Sequence, residues 1–302
     1  MVDVAFRRNV EQTWGDAGRT WLAELPGLTA RLMTEWELSA AGPLPVSLNW
    51  VGRVRRADGS PAVLKLGVPA SGHLADEATA LECFAGQAAI TVLARDDTRG
   101  ALLLEEARPG TPAAALSPGD DTAATAVLIG AMRRLHRPAP DGVALPELSG
   151  RIATFREHLR RFPGDDPLPR RLVERAADLF EELCATATGR VVLHGDLHHD
   201  NVLAAEREPW LAIDPHGVVG DPGYEVGAML YNPDPHTPGD TVLNLAEARI
   251  EQLADGLGMP RERVAAWGFV QAVLSEVWSC EGGGVVSGRP LRLARRLLPL
   301  LP

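Results

Sequence analysis

At 302 residues the chain is long enough for one large domain or two modest ones, each with its own core. A formal net charge of −10 and a pI near 5.3 disfavour nucleic acid or an anionic membrane as partner and suit a cationic ligand, although acidity also simply keeps a cytosolic protein soluble. Cys83, Cys184 and Cys280 fit no motif spacing, the N-terminus lacks a signal-peptide core, and no segment reaches the roughly 18 apolar residues of a membrane span, so the expectation is a reduced, soluble, cytoplasmic protein.

In chain order, Trp14, Trp21, Leu22 and Leu25 precede Pro26, and Leu28, Leu32 and Trp36 follow it at helical spacing. This predicts two short amphipathic helices broken at the proline, with the tryptophans in the core. Apolar residues alternate from Leu48 to Val54, an Asp58-Gly59 turn follows, and a second apolar run covers Ala62 to Leu66, which is a β-hairpin pattern. The loop before it, Gly42 to Ser47, has one glycine and two prolines and lacks GxGxxG, so it is a weak nucleotide signature. Lys65, the only lysine in the chain, lies in the second strand between Leu64 and Leu66. It is either a solvated edge residue or a cation for nucleotide phosphates. In the next helix Leu74, Ala78, Leu81 and Phe84 form an apolar stripe that includes Glu77. A carboxylate on a buried face needs a cation, and Lys65, one strand away, is its predicted partner, with Glu82 the alternative carboxylate.

Beyond Thr91 to Asp97, a strand from Ala101 to Leu104 runs into EEARPG. Pro118, Asp120, Asp121 and Thr122 are helix-start residues for a segment with Val127, Leu128, Ala131, Met132 and Leu135 on one face, ending at His136. Further helices are expected at about Gly150 to Arg161, through Leu172, Val173, Ala176, Leu179, Phe180 and Leu183, and at Asp240 to Leu257 and Arg261 to Ser279.

The chemistry concentrates in VVLHGDLHHDNVL, Val191 to Leu203. Two short strands hold a polar loop carrying Asp196 and Asn201, and the apolar run Trp210 to Ile213 then delivers Asp214. Phosphoryl transfer needs such a set: an Asp to orient an acceptor hydroxyl and take its proton, with an Asn and a second Asp to hold magnesium. A rival reading takes His194, Asp196, His198, His199 and Asp200 as a zinc site for metal-assisted hydrolysis, which would leave Lys65 and Glu77 without a role.

HGDLHHDN followed by IDPHG resembles the catalytic and metal loops of the aminoglycoside phosphotransferases, small-molecule kinases on the protein-kinase fold. WLAELP, VLKLG, GDPGYEVGAMLYNP and AVLSEVWSCEGG further resemble the streptomycin 6-kinase branch, also termed aminoglycoside/hydroxyurea resistance kinases; Asp200 stands where that branch has Glu. The resemblance implies an α+β, protein-kinase-like two-lobed fold. A small β-rich N-lobe would span 1–104, and a hinge with a mainly helical C-lobe 105–302. It implies Asp196 as catalytic base, Asn201 and Asp214 as Mg2+ ligands, Lys65 and Glu77 as the nucleotide-side ion pair, and His194 as structural. In this fold the backbone near Glu105 and Ala107 would bind the purine, ATP and GTP not being distinguished. Asp221 would brace the catalytic loop or cap the Tyr224 helix. The expected activity is ATP- and Mg2+-dependent phosphorylation of a cationic aminoglycoside, streptomycin at its 6-hydroxyl, by a monomer. Alternatives are a kinase of a host sugar or amino alcohol, or a non-catalytic nucleotide-binding module. For the streptidine guanidinium groups, Glu276 and Glu281 are candidate partners and Trp278 a stacking face, just before a glycine run that lets the chain bend.

Overall fold

The computed structural model describes residues 4–117, 119–233, 241–281, 286 and 288–301. Pro118, the first residue of the Asp240 to Leu257 helix and the glycine run at 282–284 lie outside them. The N-terminal helix α1 spans Val4–Glu35 and passes through Pro26 without stopping. The expected break lies instead at Gly15 (φ 53°, ψ −124°), a backbone conformation that side chains with a Cβ avoid. An internal proline costs about 3 kcal/mol, but Leu22, Leu25, Leu28 and Leu32 are all buried around it, and each contributes roughly 1.5–3 kcal/mol. Burial therefore outweighs the proline.

Five strands follow: β1 (Ser39–Pro43), β2 (Trp50–Arg55), β3 (Pro61–Leu66), β4 (Val92–Asp96) and β5 (Ala101–Glu105), with helix α2 (His73–Phe84) between β3 and β4. They form one antiparallel sheet in the order β1-β2-β3-β5-β4. Strand alternation divides their side chains. Ala62, Leu64 and Leu66 of β3, with Ala101 and Leu103 of β5, pack under α1 in an upper core. Val63 and Lys65 point the other way, and Leu102 and Leu104 join Leu74, Ala78, Leu81 and Phe84 of α2 in a second core that continues into the helical half.

The helical half contains α3 (Asp121–Leu135), α4 (Ile152–Arg161), α5 (Arg170–Ala185), α6 (Thr241–Asn244), α7 (Ala246–Leu257), α8 (Arg261–Glu281) and α9 (Arg289–Leu297). It also holds two small sheets: β6 (Pro109–Pro112), β8 (Val202–Ala205) and β9 (Trp210–Ala212) in one, β7 (Val191–Leu193) and β10 (Val218–Gly220) in the other. Asp120 caps α3, its side chain accepting from the Ala123 N–H at 3.0 Å. Helix α8 is apolar on nearly all sides and is packed by α4, α5, α7 and α9, with Trp267 edge-on to Phe180 and Tyr224. Helix α9 has no counterpart among the expected elements. Its buried side is only Pro290, Leu293, Ala294 and Leu297 amid arginines, and it is held by packing on α8. Among the described residues no helix is long and apolar enough to cross a membrane.

Candidate active site

The site lies where the second face of the upper sheet meets the loop after β7. On that face Lys65 Nζ lies 2.6 Å from Glu77 Oε2 of α2 and 2.5 Å from Asp214 Oδ1. Lys65 is 5% exposed and Glu77 2%, so this pair is nearly dry, whereas the Asp214 side chain meets the ammonium from the open side of the cleft, 55% exposed. Burial works against the charged lysine, but the two carboxylates outweigh it and raise its pKa, keeping it cationic. Burial, opposed by Lys65 and reinforced by Asp214, raises the Glu77 carboxyl. Glu82, the alternative partner, pairs with Arg95 at 3.0 Å instead.

Across the cleft, Asp196 Oδ2 lies 3.6 Å from His198 Nε2 and 4.0 Å from His216 Nε2. Burial would raise the Asp196 carboxyl, but these imidazoles prevail and hold it below its ordinary value. His198 is itself desolvated, yet with Asp196 on one side and Asp200 on the other it is raised to about 9. The Asn201 Nδ2 donates to the Asp196 carbonyl oxygen at 3.0 Å. A carbonyl can only accept, so the amide orientation follows and Oδ1 is turned away from it. Asn201 Oδ1 and Asp214 Oδ2 are thus hard oxygen donors that no described hydrogen bond or ion pair engages, a set that fits magnesium. Asp214 is placed by a backbone in the left-handed region, φ 60°.

The zinc alternative does not survive the geometry. His194 Nε2 bonds the Ile213 carbonyl oxygen at 2.8 Å, and its Nδ1 accepts from the Asp196 N–H at 3.3 Å. His199 is fully buried, and no three His, Cys, Asp or Glu side chains among the described residues converge on a common point.

The loop is fastened by a residue that the sequence reading passed over. Glu225, 1% exposed, accepts the N–H groups of His194 at 3.0 Å and Gly195 at 2.8 Å. Asp221 has the other role foreseen for it. It caps its own turn at the Gly223 N–H (2.6 Å) and also holds the Thr188 N–H (3.0 Å) and Arg263 (2.6 Å). Both acids stand in GDPGYE, and only the one embedded between Tyr224 and Val226, both buried, reaches the catalytic loop.

A cavity of about 290 Å³ opens beside Lys65, with Val51, Val63, Ile90, Leu104, Leu203 and Ile213 as apolar walls. Glu105, Glu106 and Ala107 form its rim. The Glu105 N–H already bonds the Thr91 carbonyl at 3.0 Å and its carboxylate is held by Arg207 at 2.7 Å. The cavity adjoins a chamber of about 220 Å³ that contains Asp196 and Asp214 together with His73 and Trp14. A third cavity of about 610 Å³ adjoins at His73 and His216 and is lined by Asp76, Glu147, Arg151 and Trp278.

The expected substrate carboxylates fare differently from Lys65, Glu77, Asp196 and Asp214. Glu276 is 0% exposed, and its Oε1 accepts the N–H groups of Gly288 (2.8 Å) and Leu291 (3.2 Å), fastening the start of α9. It is a structural residue, and the expectation of a substrate ligand there is corrected. Trp278 does line the third cavity, but Arg151 of this chain lies 5.2 Å from its ring and 5.1 Å from that of Tyr224, so an internal guanidinium already stacks there. Glu281 lies beside Glu157 and Arg161 and is not among the residues lining that cavity; burial and the Glu157 charge raise its carboxyl against the pull of Arg161.

A five-stranded lobe bearing a buried lysine–glutamate pair, set over a helical lobe with an Asp/Asn loop and a second Asp, defines a small-molecule kinase of the protein-kinase-like fold. The chain belongs to the aminoglycoside/hydroxyurea antibiotic resistance kinase family, whose profile matches residues 38–283. It is 36% identical over 277 residues to streptomycin 6-kinase of Streptomyces glaucescens, covering 90% of this chain and 88% of that one. To hydroxyurea phosphotransferase of Kitasatospora aureofaciens it is 36% identical over 285 residues, covering 90% and 78%. Among solved structures, choline kinase LicA from Streptococcus pneumoniae superposes with a TM-score of 0.61 at 12% identity, covering 92% of this chain and 98% of that one, a likeness of fold.

Proposed function

We propose that the protein transfers the γ-phosphoryl group of ATP, with Mg2+, to a hydroxyl of an aminoglycoside, streptomycin at its 6-hydroxyl, and so confers resistance. The observation that carries this reading is the meeting of Lys65, Glu77 and Asp214 at one edge of a chamber that also holds Asp196. Residues 1–104 would serve as the nucleotide lobe and 105–302 as hinge and catalytic lobe, acting as a monomer in the cytoplasm, where ATP is present and Cys83, Cys184 and Cys280 stay free thiols. The purine would enter the apolar cavity against the backbone of Glu105 and Ala107. Lys65 would neutralise the α- and β-phosphates, held at the right height by Glu77. Asn201 and Asp214 would hold magnesium, which when bound neutralises phosphate charge. Asp196 would orient the acceptor hydroxyl and receive its proton. Its lowered pKa makes it a weak base, so orientation is its larger contribution.

The equal identity to a hydroxyurea phosphotransferase favours a second reading, with a small neutral hydroxyl compound as acceptor. The two separate in one assay, magnesium-dependent ADP formation with streptomycin, hydroxyurea, a neutral sugar and an amino alcohol, the product located by mass spectrometry. Streptomycin phosphate as the fastest product supports the first reading. A faster hydroxyurea or sugar product overturns it, and ATP binding without transfer to any acceptor overturns both.

A further inference from the structure

The family profile begins at residue 38, after α1, of which only WLAELP resembles the streptomycin 6-kinase branch. The bend at Gly15 folds this helix back on itself. A Cβ on Gly18 would sit 2.6 Å from the Val10 carbonyl oxygen, although a straight helix separates these positions by about 12 Å. Likewise Phe6 and Trp21 meet edge to face with ring centroids 6.1 Å apart, where a straight helix would place them about 22 Å apart. The returned segment reaches the cleft. Asn9 Nδ2 donates to the Ser47 carbonyl at 3.3 Å, tying the segment to the loop between β1 and β2. Trp14, half-buried, packed against the upper core and next to the bend, stands edge-on to His73 at 6.4 Å and lines the chamber that holds Asp196 and Asp214.

We infer that Trp14 is the water-excluding wall of the transfer chamber and that the Gly15 bend exists to put it there. This rests on the phosphotransferase reading. In transfer, the acceptor hydroxyl oxygen bonds the γ-phosphorus, the bond to the β–γ bridging oxygen breaks with its electron pair left on ADP, and the hydroxyl proton goes to Asp196. Water entering the same chamber undergoes the same exchange and yields inorganic phosphate and ADP. An indole in the wall of that chamber excludes the competitor until the larger acceptor fills the space. The role is one of positioning and exclusion, since Trp14 carries no group that enters the reaction.

The test compares Trp14→Ala, Trp14→Phe and Gly15→Ala with the parent, measuring phosphate release from magnesium-ATP without acceptor and, separately, ADP formation with streptomycin. Trp14→Ala is expected to raise the ratio of hydrolysis to transfer about tenfold, Trp14→Phe to keep it within a few-fold, and Gly15→Ala, whose Cβ is strained at a φ of 53°, to behave like Trp14→Ala. A purely structural tryptophan would lower both rates together and leave the ratio unchanged, and that result overturns the inference. Failure of the parent to phosphorylate streptomycin would overturn the substrate reading instead. The hydrolysis rates of parent and variants still decide the role of Trp14 in that case, a rate not raised in Trp14→Ala overturning it.

Discussion

Replacing Glu225 with Gln tests whether the catalytic loop is held in place by one buried carboxylate. The parent side chain accepts two backbone N–H groups, from His194 and Gly195, at 3.0 and 2.8 Å. An amide of the same shape offers one oxygen; its NH2 would face the second N–H, setting donor against donor. Hydrogen bonds to a charged acceptor contribute about 1.5–3 kcal/mol each, and a buried donor left without a partner costs about 1–3 kcal/mol. Losing one such bond and orphaning its N–H therefore destabilises by roughly 3–5 kcal/mol. For a chain of this size 1 kcal/mol moves the midpoint by about 2–4 °C, so calorimetry should show a fall of roughly 6–20 °C. Because His194 and Gly195 lead directly into Asp196, kcat should fall by about two orders of magnitude while nucleotide affinity changes far less. A Gln variant with the parent's midpoint and kcat would refute the claim that this carboxylate positions the loop.

Asp196→Asn should preserve the fold and ATP binding but lower kcat roughly a hundredfold or more, since the acceptor loses the carboxylate that orients it and takes its proton; steady-state kinetics within a few-fold of the parent would contradict the assignment. Lys65→Ala strands the buried Glu77 carboxylate and should cost about 3–5 kcal/mol in urea unfolding, whereas Lys65→Met combined with Glu77→Leu should cost clearly less than the two single changes summed; additivity would show that the pair is uncoupled. His199, fully buried, is held neutral with its pKa lowered to about 3 by burial and by Arg249. A lowered histidine adds stability that is complete above its unfolded pKa near 6.5 and is lost as pH falls toward the folded value. Between pH 7 and 5 this amounts to about 2 kcal/mol, so in magnesium-free buffer His199→Leu should lose that much less stability than the parent over the same interval. Equal losses in the two proteins would show that His199 is not the titrating group.

The strand carrying Lys65, the stripe enclosing Glu77 and the loop from His194 to Asn201 were legible because local rules govern them. A two-residue period sorts the faces of a strand, a helical stripe marks a buried face, and a lone lysine among apolar neighbours demands a carboxylate. The β2–β3 hairpin, strand β5 and the principal helices follow from the same periodicities, whereas β1, at Ser39–Pro43, carries no such alternation and joins the sheet only by pairing with β2. What the chain could not reveal locally was decided by packing between distant segments. The break in α1 moved from Pro26 to Gly15 because the leucines flanking the proline find a sheet to bury against. Glu276 and Glu225 look alike as single acids in apolar runs. Only the arrival of Gly288 and Leu291 at one, and of His194 and Gly195 at the other, makes each a backbone acceptor. Trp278 was read as an open aromatic face until Arg151, more than a hundred residues earlier, filled it. Trp14 packs against the upper core as its spacing implies, but the bend one residue later also makes it line the chamber with Asp196 and Asp214. Hydrophobic period and turn chemistry act over a few residues. The partner of a buried polar group is set by which segments the folded cores bring together, and that depends on the whole chain at once.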